Sequence, residues 1–486
     1  MIKLRNLCFI SAMTLPMAIA CGGDDDADKP GGSGGTGATG GSGTGATGGG
    51  GAGGTGNAGG TGNAGGTGAT AGAGGSGGGT PTCDLSGTGK TKAVIPKQIT
   101  GTLTLTKDKV WTLEDTSYVN DGATLVIEPC TRIEGKKAPL GTLVVSRGGK
   151  LMADGKQDEP ILFTSPLPAG ARNPGDWGGI ILLGKAQNFK GANVTIEGLA
   201  DAPENQYGGT DDADSSGVMR HVRIEYSGFE LSADNEINGL TLGSVGSGTV
   251  VEHVMVSNTL DDGFEWFGGT VNGKWLVVNN AGDDMFDMDQ GYRGNLQYLF
   301  GRQVNNLSSN PNGFECDSDL GGKTPVTKPN ISNVTLCGAG TAGVNVAFGG
   351  VFRENLEGNF MNMIITKFDV GVDARDGFGT PASPKVKLTN SVFFGNFAHN
   401  ISNPAETDND SGFDEAAWIK DAAAKNSETA PALGDCAAAT PMPYPATTIA
   451  GGAPGGGLDA AGSYVGAFKD GSDAWMTGLW IDWSPN

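Results

Sequence analysis

One short motif recurs along the middle of the chain and limits what the chain can become. A Gly or its substitute, an apolar residue and a polar residue appear as Gly239-Leu240-Thr241, Gly263-Phe264-Glu265, Met285-Phe286-Asp287, Gly313-Phe314-Glu315, Gly343-Val344-Asn345 and Gly371-Val372-Asp373. Successive copies are offset by 24, 22, 28, 30 and 28 residues. The match extends beyond the triplet, because SNTLDDGFEWFGG from Ser257 lies without gaps on NNAGDDMFDMDQG from Asn279. A unit of about two dozen residues cannot bury its own apolar face, so it must stack on copies of itself as a solenoid. Insertions of differing length then become loops, the places where function concentrates.

The periodicity within each unit is that of strands. Short alternating runs such as ATLVIEP from Ala123, GTLVVSRGG from Gly141, PILFTS from Pro160, GIILLG from Gly179 and VEHVMVSN from Val251 are separated by Gly, Asn and Asp, and helical periodicity is scarce. Side chains alternate across a strand, so Leu240, Phe264, Phe286, Phe314, Val344 and Val372 are expected to point inward and stack. Two positions after the Phe, Trp266, Met288, Cys316 and Val346 are expected to return to the interior, with Trp275 also filling the core. Asn258 and Asn280 fall at matching turn positions, where amides can hydrogen-bond along a stack. Residues 83–400 are expected to form this solenoid. Residues 401–486 change character: Asp414 to Lys425 reads as a short helix, followed by a Pro- and Gly-rich stretch and a Trp475, Trp480, Trp483 ending. This segment is expected to cap the open end, its Trp residues on the last coil.

The first 82 residues have a different purpose. Lys3 and Arg5 precede an apolar run too short for a permanent membrane helix, so residues 1–20 read as an export signal. The run ends Ala18-Ile19-Ala20-Cys21, which resembles the bacterial lipobox and implies acylation of Cys21, although Ala18 stands where Leu is usual. Simple cleavage leaving an unmodified Cys21 is the alternative. Residues 21–82 are nearly all Gly, Thr, Ala, Ser and Asn, a composition that buries no core and reads as a disordered tether. Several acyl chains anchor stably, and Gly22 rather than Asp after the cysteine points to the outer membrane. The formal charge of −21, from 53 acidic against 32 basic residues, argues against nucleic acid as a partner. Beyond Cys21, five cysteines remain for an oxidising compartment, an odd number. Cys83 with Cys130 is the expected disulfide near the start of the folded region, and Cys316 with Cys337 a weaker one.

The stretches GTLVVSRGGKLMADG, GDWGGIILLG, DDGFEWFGGTVNGKWLVVNNAGDDMFDMDQGYRGNLQYLF and YVGAFKDGSDAWMTGLWIDW resemble the right-handed parallel β-helix surface lipoproteins of Gram-negative bacteria. The resemblance implies an all-β, right-handed parallel β-helix of the pectin-lyase-like type, displayed on the cell surface. It transfers no catalytic residue, and fold alone does not fix function.

The chemistry therefore has to come from the columns. Glu265, Asp287 and Glu315 occupy one outward column, and Asp289 and Asp317 the column two residues on. Coils sit about 4.8 Å apart, so such carboxylates must be protonated, splayed into solvent or neutralised by a cation. Calcium suits them, with Asp261, Asp262, Asp283 and Asp284 completing the set; a solvated acidic surface is the competing expectation. A polysaccharide lyase would need a basic residue beside the columns, for which Arg293, Arg302, Arg353 and Arg375 are candidates, Arg375 pairing with Asp373 at the surface. His221 and His253 hold equivalent places that a hydrophobic-to-polar boundary explains. An outward Phe267 would serve as a platform for sugar rings unless an inserted loop covers it. With Asp283, Asp284 and Arg293 it completes the expected ligand contacts. The expectation is a non-catalytic surface protein that binds glycan, with calcium assistance. A polysaccharide lyase or hydrolase and a structural adhesion or surface-layer component are its rivals.

Overall fold

The computed structural model describes residues 83–485 apart from 233–234, 305–310, 341–345, 379–384, 403–409 and 411, all within the compact unit Pro81–Asn486. The export signal, Cys21, the tether and Val344 lie outside the described residues. Each run singled out above contributes a strand: Thr124–Ile127, Thr142–Val145, Ile161–Thr164, Gly179–Leu183 and Val250–Ser257.

Strands of successive coils pair in parallel and in register, Leu240 with Phe264, Phe264 with Phe286 and Phe286 with Phe314. This ten-stranded sheet runs from Gln98–Ile99 to Asp373–Ala374. The fifteen-stranded sheet folds into two faces, because its long strands bend at a column of left-handed residues. His221, His253, Trp275, Tyr298, Asn333 and Asn362 have φ of 48°, 53°, 55°, 61°, 60° and 56°. Pairing skips each of them, as where Arg220 faces Glu252 and Val222 faces Val254. In the early coils the two faces are separate strands, Lys150–Asp154 and Ile161–Thr164, which both dock on Gly217–Glu225. The result is an all-β, right-handed parallel β-helix with three sheet faces around one core.

Identical stacking fills the interior. Phe264, Phe286 and Phe314 are fully buried, with ring centroids 5.6 and 5.7 Å apart, and Trp266, Met288 and Cys316 line the core beside them. Each such Phe contributes roughly 1.5–3 kcal/mol through removal from water. Trp275 departs from expectation: it is only half-buried, because its left-handed backbone turns it to the outside corner, stacked on His253 at 4.4 Å.

The fifth copy of the motif is also displaced. Phe352, not Val346, continues the column of Cys316, and Val351 that of Glu315; they pair onward with Ala374 and Asp373. Val346 is 44% exposed. The coil carries a longer insertion after Cys337, so its equivalent of the motif begins at Gly349, 36 residues after Gly313 and 22 before Gly371. The aligned residues here read Gly349-Gly350-Val351, which is not a Gly-apolar-polar triplet, so packing and not the motif identifies them.

The C-terminal segment does not cap the last coil with its Trp residues. It runs back along the outside of the bent sheet, where Phe468 and Trp480 pack on Met255, Val277 and Phe300. Asp482 pairs with Arg223, and Arg302 donates to the carbonyls of Cys436 and Ala438. Those outward sheet positions are apolar and receive the Trp side chains. The end is covered instead by the helix Glu415–Ile419, capped by Asp414, with Phe413 and Trp418 against Phe378. The helix is shorter than the expected Asp414 to Lys425: its C-cap is Lys420, and Asn426 Nδ2 donates to the Ile419 carbonyl. Cys83 and Cys130 are disulfide-bonded, with Cα atoms 5.5 Å apart. The Cys316–Cys337 pairing is not formed: Cys316 is buried inside the core as a free thiol, while Cys337 faces out and bonds Cys436 of the C-terminal strap.

Candidate functional site

Outward positions of the ten-stranded sheet form continuous columns. One passes through Val144, Ile181, Thr241, Glu265, Asp287, Glu315, Val351 and Asp373. Its early, apolar part lies under the insertion between Leu183 and Leu240, whose Ile196, Tyr207 and Ile237 pack on Val144 and Ile181. Phe267 belongs to the same apolar patch, 2% exposed and tilted against Tyr207 at 6.2 Å. It offers no platform to a sugar, because the insertion has already taken its face.

The later part of the column is acidic, and it too is withdrawn from water. Glu265, Asp287, Asp289, Glu315 and Asp317 are all buried. Outward from a strand is therefore not outward to solvent here. A second row lies at the turn before each strand: Asn238, Asp262, Asp284 and Asn312. Its side chains bridge coils. The N–H of Asp262 donates to Asn238 Oδ1 at 3.2 Å, that of Asp284 to Asp262 Oδ1 at 2.8 Å, and that of Phe348 to Asn312 Oδ1 at 2.9 Å. Asn238 also donates to Glu265.

Turn row and column together bring carboxylates into contact. Asp261 with Asp262 and Asp283, Asp262 with Glu265 and Asp287, and Asp284 with Asp287 and Glu315 each place one oxygen per residue within 4.8 Å of the others. Burial first, then the charges of Asp261 and Asp284, hold Asp262 well above the usual carboxylate range. Burial and the neighbouring Glu315 do the same to Asp284.

Arg353 closes the far end of this cluster. It stands one coil beyond Asp317, to which Nε and Nη2 donate at 2.5 and 2.8 Å, and it also pairs with Glu315. These two carboxylates raise its pKa beyond that of a free guanidinium, so it is a fixed counter-charge and not a proton acceptor. The other arginines are elsewhere. Arg293 donates to Asp212 at 2.8 Å and to the carbonyl of Gly291. Arg302 holds the C-terminal strap. Arg375 pairs with Asp373, as expected, but Asp373 is buried, so the pair is not a surface one. Just after Arg353, half-buried Glu354 is pushed up to about 7 by burial and by Asp317.

The carboxylates therefore stand on a stack of in-register parallel coils, and a family model for the pectate-lyase-like β-helix domain matches residues 97–437. The chain belongs to the pectate-lyase-like β-helix family. Membership spans the acidic cluster, the insertion over Phe267 and the coils on either side, and ties the protein at family level to carbohydrate. No curated protein and no solved structure matches this β-helix protein.

The sequence pointed to Glu265, Asp287, Glu315, Asp283 and Asp284, and these meet in space; it did not single out Asn238 and Asn312. A signal existed, because each stands directly before the strand motif, where Asp262 and Asp284 stand in the intervening coils.

Proposed function

We propose that this protein is a cell-surface lipoprotein, lipid-anchored at Cys21 on the outer membrane, whose β-helix binds extracellular glycan without cleaving it. The carbohydrate assignment rests on family membership. The non-catalytic reading rests on one observation: Arg353, the arginine set against the acidic cluster, is held by Glu315 and Asp317. A lyase base must give up its proton near neutral pH, and two carboxylates on a guanidinium oppose that. The columns themselves are buried, so the glycan contact belongs on loops and not on the sheet face. Hydrolysis is the second reading, and Glu354 favours it, since a carboxyl titrating near 7 can act as a general acid.

The test is incubation of the full chain with a panel of polysaccharides, following polymer length by size separation and protein retention on each polymer. Retention with unchanged length supports the proposal. Shortened chains overturn it, and loss of shortening in Glu354→Gln would then place the acid. Intact polymers with no retention remove the glycan and leave a structural surface role.

A further inference from the structure

Asp284 is fully buried, and the one group set against its carboxylate oxygens is another carboxyl, that of Glu315, in place of an N–H or hydroxyl donor. Every other feature of its surroundings adds to the difficulty. Its neighbours Asp287 and Glu315 are carboxylates, each with an oxygen within 4.8 Å of the others, and both are buried. A buried carboxylate without a donor is among the costliest groups a protein can contain. Its backbone is no freer to move away: the N–H of Asp284 is bonded to Asp262, and its carbonyl accepts from Gly263.

A hard divalent cation is the species that satisfies this arrangement. Calcium takes oxygen ligands at about 2.3–2.6 Å, so two oxygens on opposite sides of one ion lie up to about 5 Å apart. The observed spacing fits within that span. A transition metal would call for nitrogen or sulfur donors. The sulfur atoms near this point, those of Met285, Met288 and Cys316, belong to side chains of the core on the other side of the strand.

The geometry points to a structural divalent-cation site, of calcium chemistry, formed by Asp284, Asp287 and Glu315. The ion locks two successive coils together at a point where the sequence repeat alone would set like charges against each other. Arg353 then occupies the outer flank of Glu315 and limits the site on that side. The site is buried on the outer face of the sheet, so it holds the coils together and does not bridge to a glycan. It stands independently of the proposed glycan binding, and either can fail without the other.

The test uses the full chain, stripped with a chelator and then titrated with calcium alone, with magnesium in parallel. Bound metal is read by elemental analysis and calorimetry, and stability by thermal and denaturant unfolding. The site predicts saturable calcium binding and an unfolding constant lowered about 100-fold when calcium reaches about 100 times its Kd. Asp284→Asn, which keeps the shape and removes one charge, is expected to fold in chelator and to lose both the binding and the stabilisation. Asp287→Asn provides a second readout should Asp284→Asn fail to fold. Asp108→Asn, at an exposed turn, should change neither. Wild-type protein that gains no stability from either ion would overturn the site, with protons, not a cation, then resolving the cluster. So would calcium stabilisation that persists undiminished in both Asn variants.

Discussion

Two ladders in this molecule are built by the same rule and have opposite electrostatics. At the bend of the fifteen-stranded sheet, His221, His253, Trp275 and Tyr298 stack coil on coil, with ring separations of 4.4, 4.4 and 5.7 Å, and Asn333 and Asn362 continue the column. On the ten-stranded sheet, Glu265, Asp287 and Glu315 stack in the same way. A parallel β-helix places each side chain beside its equivalent about 4.8 Å away, so it multiplies whatever that residue does to a copy of itself. Rings and amides attract their copies, whereas carboxylates repel theirs. The first ladder is therefore self-sufficient, and the second needs a proton or a cation.

The largest expected effect sharpens the aromatic side. Trp480 is fully buried with its edge against both His221 and His253, so Trp480→Ala should cost about 3–5 kcal/mol in denaturant unfolding. An effect below about 1 kcal/mol would mean that the strap adds nothing to the ladder. Next is Asn333, fully buried and donating to the strap carbonyls of Gly462 and Tyr464 at 2.9 and 2.7 Å. Asn333→Ala leaves those carbonyls without this donor and should cost about 2–3 kcal/mol, with faster proteolytic cutting confined to the segment after Cys436. Uniform cutting along the chain would contradict that confinement.

The two ladders should also respond to acid in opposite directions. Burial holds His253 down to about 4, below an ordinary value of 6.5. Its contribution is thus present above 6.5 and lost as pH falls through 4, because the unfolded chain takes the proton first. His253→Gln should remove about 1–2 kcal/mol of that acid-side loss, a figure discounted for the ring's partial exposure; an unchanged pH profile would exclude the ring as its source. Asp262 and Asp284 are raised, so without a cation their contribution is fully present below the ordinary carboxylate range and is lost as pH rises through the folded values. The smallest effect belongs to the amide pair. Asn280 Nδ2 donates to Asn258 Oδ1 at 3.0 Å, and Asn280→Ala should cost about 1 kcal/mol in the same unfolding assay.

How much of this was legible follows from the same contrast. The spacing of Phe264, Phe286 and Phe314 is a property of the chain alone, and it specified the solenoid, the inward column and the inner position of Cys316. The match of Asn258 to Asn280 was visible for the same reason. What could not be read was whether an outward position meets water. Phe267 and Glu265 both face out from their strand, yet the first is covered by an insertion folded from residues earlier in the chain, and both are buried. The destination of Trp480 was hidden likewise, since tryptophans at a chain end fit a cap and a lateral strap equally well. The fifth coil was misplaced because Gly343-Val344-Asn345 carries the triplet, whereas the residues that align with Gly313-Phe314-Glu315, namely Gly349-Gly350-Val351, do not; hydrogen bonding to Phe314 places them.

The central claim is that the acidic ladder is held at a cost that a neutral or bound species must relieve. Comparison of Asp284→Asn with wild type by denaturant unfolding in chelator, at a series of pH values from 8 downward, tests this most directly. The account predicts a variant more stable than wild type at pH 8, a gap that closes as acid protonates the wild-type carboxyl, and a reversed order in calcium. A variant less stable than wild type in chelator at every pH would contradict it, because Asp284 would then be a satisfied carboxylate.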